Sequence, residues 1–250
     1  NVQFGKDVFN RNGAVVEDAL RTKLGKVDWI FVFAGGGGGT GSACFALDEV
    51  FQRYLNSINA EGRVFYIVTW PTSQELLNTT ITNNALSLAN DVKDSPHIIL
   101  DNEKQVKFLR GKVGIMSLFP TANTAFAKLL TQTFKLANEK SSIQSFDSKD
   151  LERCLKTNQR MIVGTTVVRD PSVANLLKRS PCPDLREKAK TGALLLVVTP
   201  EMANDPEISQ HLDAAISYVG GRADTLFSGI YVRDNIPGLI AITLMGGLEQ

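Results

Sequence analysis

The sequence predicts an α/β fold, a doubly wound and mostly parallel sheet, continued by a long central helix into a smaller α+β module. Three observations carry the prediction. Apolar runs of strand length at 29–34, Val64–Thr69 and His97–Leu100 alternate with stretches of helical period, the pattern of strands covered on both faces in a parallel sheet. The longest helical stripe, Ile115 to Asn138, spans on the order of 36 Å, enough to link two domains. From Met161 onward, runs of strands stand beside a few helices, as in an α+β unit. The expected division is 1–114, a linking helix at 115–140, and 141–250.

With 250 residues, 43% of them hydrophobic, the chain can bury one large core or two modest ones. Its 27 basic and 26 acidic residues are interspersed, so neither a nucleic-acid nor a membrane surface is expected. Cys44, Cys154, Cys182, His97 and His211 are isolated and lack metal spacing. No metal is expected on protein side chains, and reduced thiols point to a cytoplasmic location. No apolar run reaches the roughly 20 residues of a membrane span, and no signal peptide is read.

Residues 1–13 read as loop, and Ala14–Leu24 as a helix with Val15, Ala19, Leu20 and Leu24 on its apolar side, ended by Gly25. The next strand runs straight into Gly35, Gly36, Gly37, Gly38, Gly39, Thr40, Gly41 and Ser42. Residues without a Cβ let consecutive backbone N–H groups turn toward an anion, and a helix read from Gly41 to Tyr54 adds its unpaired amides. Thr40 and Ser42 offer hydroxyls but no charge, so the main chain must do most of the phosphate holding. The run lacks the Lys of a Walker A loop, and its glycines are too contiguous for G-x-G-x-x-G.

Gly37-Gly38-Gly39-Thr40-Gly41-Ser42 after an apolar strand resembles the signature of the tubulin/FtsZ superfamily, GGGTG[ST]G, with Ala43 at the place of the final glycine. The resemblance implies GTP or GDP, with Mg2+ accompanying the nucleotide, and phosphates held by residues 35–42. It also implies that a further strand with its own glycine-rich turn precedes this segment in the family, so the first domain is expected to be amino-terminally incomplete.

Past the strand at Val64–Thr69, Pro71 and Glu75 match the family loop whose Glu accepts from a ribose hydroxyl. Read alone, Glu75 is equally a first-turn acid of the helix Leu76–Val92, favoured by the helix dipole. Thr79 stands where the FtsZ branch carries a basic residue. Asp101-Asn102-Glu103-Lys104 aligns with the FtsZ pattern I-x-N-D-K, which implies Asn102 against the nucleoside. Its amide offers donor and acceptor, though it could also cap a helix from Glu103. Pro120 fits the long helix if that helix starts near Phe119. In this register Phe119 and Asn123 share a face, and the resemblance implies a ring stacked on guanine with a polar partner one turn later. Asn123 is a mediocre helix former, so a side-chain role better explains it.

Asp147 and Asp150 form a capping-box start for the helix Leu151–Lys156, worth ~1 kcal/mol. The same two acids match the family's catalytic loop N-x-D-x-x-D, with Ser145 replacing the Asn. The resemblance implies a homopolymer stacked head to tail, in which loop 141–150 reaches the next subunit's phosphates and the carboxylates orient the attacking water. Ser145 predicts slower hydrolysis. Beyond lie a strand at Met161–Val168, a helix at Pro171–Arg179, a turn at 180–184, a strand at Gly192–Thr199, a helix at Pro206–Val219, and strands at Thr225–Val232 and Leu239–Leu244. Gly229–Asp234, followed by Asn235-Ile236-Pro237-Gly238 and a strand, reads as a hairpin. The expectation is a GTP-hydrolysing cytoskeletal protein forming protofilaments, acting in cell division, cell shape or DNA segregation. The alternative is a hydrolysis-deficient nucleotide-binding regulator of a related filament.

Overall fold

The computed structural model describes residues 1–157, 159–168, 177 and 180–249. They form two compact units, residues 1–103 with 159 and 160, and residues 104–157 with 161–249. Apart from Leu177, the helix expected at Pro171–Arg179 lies outside the described residues.

The first unit opens with two helices, α1 (Val2–Arg11) and α2 (Gly13–Lys23), where a loop was expected up to residue 13. Gly5 weakens the helical signal in sequence, yet it is what lets α1 pack: a Cβ there would lie 2.8 Å from the Ala43 Cβ and 3.0 Å from the Gly39 carbonyl oxygen. Asn1 caps α1 by accepting from the Gln3 N–H, and Lys6 pairs with Asp91 at 2.6 Å. In α2 the buried residue is Gly13, which faces Val50, while Val15 and Leu24 are exposed, contrary to the apolar side read from the sequence.

β1 (Ile30–Gly35), β2 (Val64–Trp70) and β3 (His97–Asp101) lie side by side and parallel. β2 is central, and its residues Val64 to Val68 are all buried, as its unbroken apolar run predicts. The helix expected from Gly41 to Tyr54 is instead divided into α3 (Gly39–Ser42), a 3-10 turn at Cys44–Leu47, and α4 (Asp48–Ser57). Fully buried Ala43, seated against Gly5, marks the break, and its N–H takes the tighter bond to the Thr40 carbonyl. α5 (Thr79–Val92) starts three residues later than expected, because Asn78 accepts from the Thr80 and Ile81 N–H groups and caps it there. α6 (Asn102–Leu109) follows β3 directly. Ala34, Leu55, Val64, Tyr66, Val68, Leu88 and Val92 form the core between sheet and helices.

His97 is fully buried with Nδ1 2.9 Å from the Ser95 carbonyl oxygen, and burial, aided by Arg160, pushes its pKa down. A depressed pKa means that the folded state resists protonation, so stability is whole above about pH 6.5 and declines as pH falls below that value, by at most ~1.4 kcal/mol per unit. His97→Gln should therefore flatten the fall in melting temperature between pH 7 and pH 5. Equal slopes for the two proteins would clear His97 of the acid sensitivity.

In the second unit α7 (Leu118–Ala137) runs for about 30 Å after a 3-10 turn at Ile115–Ser117. Pro120 sits in its first turn, where the missing N–H costs nothing. Ile115 is 83% exposed, so the buried stripe begins at Ala122 and continues through Phe126, Leu129, Thr133 and Ala137. α8 (Ser148–Leu155) precedes a four-stranded group made of β4 (Arg160–Val168), β5 (Ala189–Val198), β6 (Ala223–Val232) and β7 (Leu239–Leu248), ordered β4-β7-β5-β6. α9 (Pro200–Ala203) and α10 (Pro206–Gly220) join β5 to β6.

The expected hairpin does not form. β5 pairs with β6 in parallel and with β7 antiparallel, and so separates them. Every residue of β5 from Gly192 to Val198 is buried, and a strand apolar on both faces needs a neighbour at each edge. The connection after β6, with Asn235 at φ 57°, carries the chain past the end of β5. The whole is a mixed α/β fold with mostly parallel strands, as the sequence predicts.

Candidate functional site

Three loops leave one edge of the first unit's sheet, because the strands are in register at their carboxyl ends: Gly35 faces Thr69, and Trp70 faces Asp101. Loops at such an edge are where open α/β sheets bind ligands. The first loop is the glycine run, and backbone contacts dictate its composition. A Cβ on Gly36 would sit 2.7 Å from the Thr69 carbonyl oxygen, and one on Gly41 would fall on the carbonyl oxygen of Gly35. Gly37 has φ +112°, a left-handed conformation that favours glycine.

The amides of this loop divide into two sets. Gly36 donates to the Thr69 carbonyl at 2.9 Å and Gly37 to the Ser42 hydroxyl oxygen at 3.1 Å, which builds the loop. The N–H groups of Gly38, Gly39, Thr40 and Gly41 have no acceptor among the described residues. Of the two hydroxyls picked out by sequence, Thr40 is exposed and Ser42 fully buried.

In the second loop the Glu75 carboxylate accepts from the Thr72 N–H at 2.7 Å and the Thr72 hydroxyl at 2.8 Å, in an exposed turn. Glu103 accepts from the Ser73 N–H at 3.1 Å and so ties this loop to the start of α6. Asn102, after β3, is half-buried as the first residue of α6, and its side chain has no hydrogen-bond partner among the described residues. The glycine run, Glu75 and Asn102 thus belong to one sheet edge of the first unit.

Phe119, Asn123, Asp147 and Asp150 belong to the second unit. Phe119 and Asn123 are four residues apart in α7 and both exposed, with 42% of Phe119 accessible, enough for a flat ligand to stack on. The two acids form the capping box in full: Asp147 Oδ1 accepts from the Lys149 N–H at 2.8 Å and the Asp150 N–H at 2.9 Å, and Asp150 accepts from the Asp147 N–H at 3.4 Å. Arg153 stands 3.8 Å from Asp150.

The segment before them is firmly held. Phe146 is fully buried, its N–H donating to the Tyr231 hydroxyl at 3.0 Å and its carbonyl accepting from the same hydroxyl at 2.9 Å. Burial pushes the Tyr231 pKa up, so the hydroxyl stays a neutral donor. Gln144 bridges Ile230, and Ser145 accepts from the Ser141 N–H at 3.0 Å. Among the described residues no group of three His, Cys, Asp or Glu is placed to hold a metal ion. Cys44, next to the glycine run in sequence, is buried, and burial pushes its thiol up to about 11, which makes it a poor nucleophile.

No protein-family model matches the chain, and no curated protein does. Solved structures match over its whole length. CetZ2 from Haloferax volcanii, a GTPγS-bound protofilament, superposes with a TM-score of 0.80 over 100% of this chain and 74% of its own, at 18% identity. TubZ from Bacillus thuringiensis serovar israelensis, a GTPγS-form protofilament, gives 0.78 over 100% and 71%, at 18% identity. FtsZ from M. jannaschii gives 0.71 over 98% and 69%, at 16% identity. The chain has the tubulin/FtsZ fold.

At such identities the tubulin/FtsZ likeness is one of fold, and the chemistry rests on the residues themselves. Three residues that shape the loops were not singled out in sequence. Asn84 in α5 is buried and donates to the Gly37 carbonyl at 2.7 Å; a polar residue on the inner face of an amphipathic helix was the available signal. Thr72 holds Glu75, and an S/T-x-x-E spacing is visible in the sequence. Tyr231, lying in a strand 85 residues from Phe146, gave no local signal. No described helix is long and apolar enough to cross a membrane.

Proposed function

We propose that this chain binds and hydrolyses GTP and polymerises head to tail into protofilaments, each active site being completed by the neighbouring subunit. The supporting observation is one sheet edge that gathers four unpaired amides, at Gly38, Gly39, Thr40 and Gly41, with Glu75 and Asn102. Proteins of the same fold are described as GTPγS-bound and GDP-form protofilaments.

In this reading the four amides and the Thr40 hydroxyl hold the phosphates, while Gly35, Gly36, Gly37 and Ser42 shape the loop. Glu75 turns from Thr72 to accept from a ribose hydroxyl, and Asn102, Phe119 and Asn123 serve the guanine. Asp147 and Asp150 act on the next subunit's nucleotide. They accept hydrogen bonds from the attacking water, whose oxygen bonds to the γ-phosphorus as the bond to the bridging oxygen breaks, yielding GDP and phosphate. Mg2+, carried on the phosphates, would neutralise charge at that step. Division at 115 and 140 and a cytoplasmic setting complete the proposal, with a role in cell division, cell shape or DNA segregation.

The test is GTP turnover per subunit against protein concentration, with light scattering recorded together. A threshold above which both rise is expected; turnover proportional to concentration without scattering would refute assembly-dependent hydrolysis. The second reading, a hydrolysis-deficient regulator, is favoured by the commitment of both acids to the capping box. It predicts GTP binding without turnover at any concentration.

A further inference from the structure

The amide of Asn84 holds the glycine run to α5. Its Nδ2 donates to the Gly37 carbonyl at 2.7 Å, and Asn84 is 8% exposed. Gly37 is gripped from its other side too, since its N–H donates to fully buried Ser42. The described residues include no cis peptide, and in a trans peptide the carbonyl and the following N–H point in opposite directions. Drawing the Gly37 carbonyl inward to Asn84 therefore turns the Gly38 N–H away from α5.

Gly38 is exposed, nothing lies within 4 Å of the place a Cβ would occupy, and its N–H has no acceptor among the described residues. With the peptide flipped, a carbonyl oxygen would stand there and repel an anion. Gly37 has no side chain to oppose that flip, so the hydrogen-bond partners select the orientation.

We infer that Asn84 is a positioning residue for nucleotide phosphate, selecting the peptide orientation in which the Gly38 amide faces the anion. The inference rests on the nucleotide reading above and deepens it, because it separates the amides that build the loop from those that meet the ligand. A hydrogen bond to a charged group, lost or replaced by a carbonyl, changes affinity by about tenfold or more.

Two variants test it, with GTP affinity measured by calorimetry on the whole protein. Asn84→Leu removes the donor at similar size and should weaken GTP binding about tenfold. Asn84→Asp keeps the shape and replaces the donor by a carboxylate whose pKa burial raises. At pH 8 it should bind at least as weakly as Asn84→Leu. Below that raised pKa the carboxyl regains an O–H donor, so at pH 5.5 the deficit of Asn84→Asp relative to wild type at the same pH should shrink, while that of Asn84→Leu persists.

A merely structural role would leave the Asp deficit unchanged with pH. Binding by both variants within about twofold of wild type, or a pH-independent Asp deficit, overturns the inference. Should Asn84→Leu fail to fold, the pH dependence of Asn84→Asp decides alone. A wild-type protein that binds no GTP overturns the nucleotide reading itself, and this inference with it.

Discussion

Replacing Asp147 and Asp150 together by Asn is expected to lower GTP turnover by about two to four orders of magnitude while melting temperature stays within a few degrees of wild type. The choice of Asn follows from the capping box, in which both acids bind backbone N–H groups at the start of α8. Asn caps a helix about as well as Asp, whereas Ala would also remove the cap, at ~1 kcal/mol. The Asn pair therefore takes away charge and spares the helix. Nucleotide affinity and assembly should persist, because in the proposed arrangement these acids serve the neighbouring subunit's nucleotide. Turnover within tenfold of wild type would remove loop 141–150 from the chemistry.

Gly41→Ala is expected to weaken GTP binding by more than about a hundredfold, beyond the tenfold worth of one lost charged hydrogen bond, because it displaces the whole loop. The added Cβ would meet only backbone: besides the Gly35 oxygen, the Gly35 nitrogen at 3.0 Å and the Gly35 carbonyl carbon at 3.2 Å. None of these can rotate aside as a side chain would, so the strand end and the loop must part. A cost to stability of roughly 1–3 kcal/mol accompanies this. Gly38→Ala is the matched control, with nothing within 4 Å of its Cβ, and should leave melting temperature unchanged. Titration with a fluorescent GTP analogue well below the melting temperature reads the effect. Wild-type affinity in Gly41→Ala would show that the loop does not cradle the phosphates.

The parts of this fold legible in sequence were those with an unbroken local pattern. β2 is apolar from Val64 to Val68 because both of its faces are covered, and the glycine run is recognisable because its neighbours leave no room for a Cβ at Gly36 or Gly41. α1 was illegible because Gly5, a poor helix residue, is retained for its close approach to Ala43 and Gly39. The supposed hairpin failed for a different reason: turn residues at 234–238 report a reversal of direction, which a crossover past β5 satisfies as well as a tight turn does. Within the candidate site, the sequence pointed to the loop residues themselves, buried Ser42 among them, and not to the partners that hold them from elsewhere in the chain. Thr40 and Glu75 stand out by type and position, whereas Asn84 and Tyr231 act through contacts 47 and 85 residues away in the chain.

The place of β7 has a consequence for biosynthesis. Residues 239–248 fill the gap between β4 and β5, and nearly all are buried there. A ribosome delivering this chain therefore releases β4, β5 and β6 before the strand that joins them, and the sheet edges of β4 and β5 stay open until residue 248 has emerged. Non-local pairing of this kind is slow and leaves apolar edges exposed while it waits. The second unit is thus expected to form after translation of β7, and nascent chains halted before residue 239 to be bound by chaperones or degraded.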